Sequence, residues 1–80
     1  MRTHGYYTET AIRRRRATRG RVRRYLRSVI AADAEDVAEA LGISVDMARV
    51  HLTILRERGS VFTIDRRRPQ LYAIAPEDDA

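Results

Sequence analysis

Apolar residues recur at helical spacing in three stretches of this 80-residue chain and alternate with polar ones in two short stretches near its C-terminus. In the first stretch Val22, Leu26, Val29 and Ile30 fall at i, i+4, i+7 and i+8, which predicts a helix from about Thr18, its N-cap, to Ala32 with one buried face. Asp33 opens a second helix, AEDVAEAL, as N-cap, with Asp36 placed to complete a capping box and Gly42 to close it. Its apolar side is Ala34, Val37, Ala38 and Leu41, and its outer side, Glu35, Asp36 and Glu39, is acidic. The third helix, VDMARVHLTILRER, is capped by Ser44, carries the stripe Ala48, Leu52, Leu55, and stops before Gly59. Beyond it VFTID and LYAIA, separated by the polar run RRRPQ, have the alternation of two antiparallel strands joined by a loop.

The turn Gly42-Ile43-Ser44 is short and glycine-containing, which makes the second and third helices a helix-turn-helix. With the stripe inward, a rotation of about 100° per residue puts Asp46, Arg49, Val50, Thr53 and Glu57 outward. Met47, Val50 and Ile54 form an apolar strip beside that face, suited either to the first helix or the arm, or to a protein partner. His51 sits at the edge of the stripe and reads as a partly buried structural histidine. The other histidine, His4, lies far from it in sequence, so no spacing favours a metal site.

Charge changes the picture more than composition does. All sixteen basic residues are arginine, a bias that genomic base composition can produce. Residues 1–27 carry ten arginines and one glutamate, a net of +9; residues 28–60 carry three arginines and six acids, a net of −3; residues 61–80 come to −1. Basic charge is therefore concentrated at the N-terminal end and at the hairpin tip, which predicts a polyanionic partner gripped from two places. Residues 1–17 lack a sustained apolar stripe, and the adjacent Arg13, Arg14, Arg15 and Arg16 repel one another. That segment is expected to be a mobile basic arm, the alternative being an extra helical turn beginning near Thr8 or Thr10. Arg23, Arg24 and Arg27 extend the basic run along the first helix, either as a solvated face or as phosphate contacts. Arg66, Arg67 and Arg68 crowd the hairpin tip, Pro69 cannot continue the ladder, and residues 76–80, PEDDA, form an acidic tail.

Eighty residues make one domain, which buries only about 60% of the surface its unfolded chain exposes. There is no cysteine, and no run approaches the roughly 18 apolar residues of a membrane span, so the chain reads as a soluble cytoplasmic protein. No cysteine nucleophile, phosphate-cradling glycine loop or serine-histidine-acid set supports an enzyme, and neither cofactor nor metal is implied.

The chain resembles winged helix-turn-helix proteins found among small prokaryotic transcriptional regulators, the ArsR- and MarR-like groups included. The resemblance rests on Ser44 ahead of the third helix, on HLTILRERG at residues 51–59, and on the hairpin ending LYAI. It implies an α+β fold of three helices followed by a two-stranded antiparallel β-hairpin wing, here spanning residues 18–75, and leaves the flexible basic N-terminal arm and the acidic tail outside it. It also implies that Ser44, Val45, Asp46, Arg49, Val50 and Thr53 face bases or phosphates in a major groove, and that Arg66, Arg67 and Arg68 are wing contacts. Two departures stand out: the outward face offers one arginine, Arg49, and the helix-turn-helix as a whole is acidic.

The leading expectation is a DNA-binding transcriptional regulator, homodimeric because dimers read two half-sites, with arm, first-helix and wing arginines supplying salt-sensitive affinity to double-stranded DNA. A winged helix that binds DNA or RNA without sequence preference is the alternative, followed by a protein-interaction module using Met47, Val50 and Ile54.

Overall fold

The computed structural model describes residues 2–64 and 69–76, with side chains from residue 10 onward. Its elements are α1 (Arg2–Arg27), α2 (Ala34–Leu41), α3 (Val45–Glu57), β1 (Val61–Thr63) and β2 (Tyr72–Ile74).

The first helix departs from expectation at both ends. Residues 2–17, expected as a separate arm, are helical and continuous with the rest of α1. Arginine is among the better helix formers, and neighbouring residues on a helix diverge by about 100°, so the Arg13 to Arg16 run is spread around the axis rather than stacked. Thr18 is not an N-cap: it lies mid-helix, and its hydroxyl donates to the Arg14 carbonyl at 2.9 Å. The helix ends at Arg27, earlier than the apolar spacing implies. There the Ser28 hydroxyl and backbone N–H both donate to the Tyr25 carbonyl, at 2.6 and 2.9 Å, and the bonding tightens into an i to i−3 turn. Ile30, expected in the buried face, is consequently 91% exposed, and Ala32 takes a core position instead.

The other two helices are delimited as their capping residues require. Asp33 accepts from the Asp36 N–H at 2.7 Å while the Asp36 carboxylate accepts from the Asp33 N–H at 3.3 Å, a complete capping box. Gly42 takes φ 72° and its N–H reaches the Ala38 carbonyl at 2.9 Å. Ser44 then accepts from the Met47 N–H at 3.1 Å to start α3. At the far end of α3 the N–H groups of Gly59 (φ 82°) and Ser60 bond the Arg56 and Leu55 carbonyls, the paired bonds of a Schellman closure.

The hairpin pairs Val61 with Ile74, Phe62 with Ala73 and Thr63 with Tyr72. On its other edge β2 receives an antiparallel bridge from the linker between α1 and α2. The Ala32 N–H donates to the Tyr72 carbonyl at 3.0 Å, and the Tyr72 N–H donates to the Ala32 carbonyl at 2.8 Å. All the elements close on one core: Val22 and Leu26 of α1, Val37, Ala38 and Leu41 of α2, Ala48, Leu52 and Leu55 of α3, with Ala32, Val61 and Tyr72. Arg21 clamps α1 to α2, its guanidinium donating to the Leu41 carbonyl at 2.9 Å, where the negative end of the α2 dipole favours a cation.

Candidate nucleic-acid interface

The helix-turn-helix holds one face of α3 away from the core. Because Ala48, Leu52 and Leu55 are buried, Asp46, Arg49, Val50 and Glu57 are exposed and Thr53 is half-buried, as the rotation argument requires. Two residues of the expected reading face have other duties. Ser44 spends its hydroxyl on the cap of α3, and Val45 is half-buried and packs against the core. Arg49 lies 3.5 Å from Asp46, one turn back on the same helix, with side chains 63% and 93% exposed. An ion pair that open to solvent is worth about 0–1 kcal/mol, so Arg49 can leave it for a better partner at little cost.

Beside this face, a groove of about 530 Å³ runs between α3 and the start of the second wing strand, lined by Glu35, Arg49, Thr53, Pro69, Gln70 and Tyr72. The Gln70 amide nitrogen is buried without a hydrogen-bond partner among the described residues, which leaves a donor to satisfy at the groove wall. Helix α3 and the hairpin thus share one concavity, furnished with a guanidinium, a hydroxyl, a carboxylate and an amide. Gln70 and Tyr72 were not legible as members of this groove from spacing alone, since the Ala32 bridge that seats Tyr72 is a tertiary contact.

The remaining expected contacts are distributed along α1. Arg13, Arg14, Arg15, Arg16, Arg24 and Arg27 are exposed and Arg23 is half-buried. Arg66, Arg67 and Arg68 lie outside the described residues. Of the apolar strip, Met47 and Val50 are 39% and 49% exposed and Ile54 is half-buried. His51, expected to be partly buried, is wholly so, and neither ring nitrogen has a hydrogen-bond partner among the described residues. Desolvation, reinforced by the nearby charges of Arg19 and Arg15, holds its pKa below the ordinary histidine value. Among the described residues no cluster of three or more metal-ligating side chains occurs, and no helix is long and apolar enough to cross a membrane.

Solved structures similar to this chain are DNA-binding domains of one architecture. The Zalpha domain of PKZ from Carassius auratus, crystallised in complex with Z-DNA, matches with a TM-score of 0.71 and 18% identity, over 75% of this chain and 95% of that one. The fold is a winged helix-turn-helix. A homodimeric winged helix-turn-helix DNA-binding domain, Mb0332 from Mycobacterium bovis (fragment 1–100), a possible ArsR-family transcriptional regulator, matches with a TM-score of 0.60 and 26% identity. That match covers 89% of this chain and 73% of the other. No protein-family model matches the sequence, and no curated protein does. The winged helix of this chain differs from the sequence expectation chiefly in α1, which reaches back to Arg2.

Proposed function

We propose that the protein is a homodimeric DNA-binding transcriptional regulator of the cytoplasm, with α3 in the major groove and its arginines on phosphates or in the minor groove. The observation that carries this reading is the exposed face of α3, Asp46, Arg49, Val50 and Thr53, set beside a groove shared with the wing. Both similar structures are DNA-binding domains, which supports the same use here.

In this mechanism two kinds of contact divide the work. Arg49 releases Asp46 and donates two hydrogen bonds to a guanine edge, while Thr53 offers a further polar contact. The arginines of α1 and of the wing tip neutralise phosphates and set affinity without reading sequence. Selection of bound duplexes from a random pool tests the whole reading: a palindromic motif is the expected product, and recovery of unenriched sequence refutes it. On a selected site, Arg49→Ala costs about 1–3 kcal/mol of discrimination at one base-pair position and leaves unrelated duplexes bound as before. Uniform weakening on every sequence would instead make Arg49 a phosphate contact.

The wing is tested by salt. If about six phosphates are neutralised, log K falls against log salt with a slope of roughly −5, and replacing Arg66, Arg67 and Arg68 together with alanine flattens it by about 2.7 if each holds one phosphate. An unchanged slope removes the wing tip from the mechanism.

A second reading is favoured by the Asp46–Arg49 pair and by the net −3 of residues 28–60. In it, the domain binds DNA or RNA without sequence preference. Equal competition by unrelated DNA and double-stranded RNA at fixed salt is the result that selects it.

A further inference from the structure

A second concavity, of about 420 Å³, lies between α1 and the C-terminal end of α3, where Arg16, Arg19, Arg23 and Arg58 line it together with Gly20 and Ser60. Arg16, Arg19 and Arg23 are spaced i, i+3, i+7, so one stripe of α1 points them to the same side, and Arg58, the C-cap of α3, closes the group. No carboxylate is among the lining residues. Arg19 is held below the ordinary arginine value by desolvation and then by the like charges of Arg58, Arg16 and Arg15. Gly20 adds an independent observation. A glycine inside a helix costs about 0.5–1 kcal/mol relative to alanine, and here a Cβ would meet no atom within 4 Å, so no close packing calls for it. It leaves bare the part of the groove it lines.

We propose that this arginine-lined groove is a binding site for a phosphate group. Guanidinium forks match the oxygens of a tetrahedral phosphate in pairs, and Arg16, Arg19 and Arg58 bring three of them to one groove. The groove is separate from the one beside the wing. Arg49 and Arg58 are nine residues apart, about 2.5 turns, and therefore stand on opposite sides of α3. A polyanion lying along the outward face of that helix would have one groove on each flank. The phosphate is supplied either by a nucleic-acid backbone, in which case the site extends the function proposed above, or by a free phosphate compound.

The test uses the full chain and the double variant Arg19→Gln/Arg58→Gln in two measurements. In the first, thermal unfolding is followed in chloride, inorganic phosphate and pyrophosphate at matched ionic strength. Phosphate and pyrophosphate raise the Tm of the parent protein above its chloride value, and the variant loses most of that increment. In chloride the variant is at least as stable as the parent, because two mutually repelling charges are gone.

The second measurement is the salt dependence of duplex binding. With a backbone phosphate in the groove, the variant's slope is shallower by about 0.9, and the ratio of selected to unrelated duplex is unchanged. With free phosphate as the ligand, the slope stays as it was and only the Tm increment is lost. Equal phosphate responses and equal slopes in the two proteins overturn the proposal, as does a variant destabilised in chloride, which would assign the arginines to the fold. Should the protein bind no duplex, the nucleic-acid reading fails while the thermal measurement still decides the groove.

Discussion

Replacing Leu26 with alanine lowers the unfolding free energy by about 2–5 kcal/mol, whereas replacing Ile30 with alanine leaves it within about 0.5 kcal/mol. Both residues belong to the apolar pattern that predicts the first helix, so the pair tests where that helix ends. Leu26 is fully buried in the common core, and with Val22 and the Arg21 clamp it holds α1 against the rest of the domain. Ile30 follows the Ser28 turn and faces solvent. A domain of 80 residues has a total stability of about 4–12 kcal/mol, so the Leu26 variant sits near the edge of unfolding. Denaturant titration with an unchanged m-value checks this. Comparable losses at the two positions would mean that the helix runs on to Ala32 in solution.

His51→Leu is expected to stabilise the protein by about 1–3 kcal/mol at neutral pH, the usual cost of a buried polar group left without a partner. Leucine is close to histidine in volume and brings no nitrogen to satisfy. The same substitution removes a pH dependence. Burial first, then Arg19 and Arg15, depress the folded-state pKa of His51 below the ordinary 6.5. Below pH 6.5 the unfolded chain takes up a proton that the folded chain refuses, so the unfolded state binds more protons and stability rises with pH. The His51 contribution is thus complete above pH 6.5 and is lost as pH falls toward the depressed folded-state value, by up to about 1.4 kcal/mol per pH unit. Tm measured from pH 7.5 to 5 should fall in the parent protein and fall less in His51→Leu. Parallel curves would show that His51 takes up its proton equally in the folded and unfolded chains, and a less stable leucine variant would show that its ring nitrogens are satisfied.

The parts of this fold that were legible in the sequence are those with chemistry local to the residue. Asp33 with Asp36, Gly42, Ser44 and Gly59 each satisfy a particular orphan backbone group, and the helices they delimit start and stop where they stand. The α1 boundaries lack such marks. Arginine and threonine are compatible with helix or arm at its N-terminal end, and Val29 and Ile30 prolong the helical spacing beyond the point where Ser28 ends the helix. The reading face of α3 followed from rotation alone, because the buried stripe determines the opposite side. The two grooves did not. The i, i+3, i+7 spacing of Arg16, Arg19 and Arg23 hints at one of them, but Arg58 joins only through the packing of α3 on α1. The other depends on Tyr72 being drawn against α2 and α3 from the far end of the hairpin.

The bridge from Ala32 to Tyr72 has a further consequence, for solubility. It makes β2 an interior strand, with β1 on one side and the linker between α1 and α2 on the other. The outer margin of β1 is then left open, and that strand is only three residues long. A sheet edge so short is a poor template for a second chain, even with Phe62 exposed beside it. One backbone contact, made at a residue that also lines the wing groove, thereby leaves this arginine-rich protein a single open sheet edge, three residues long.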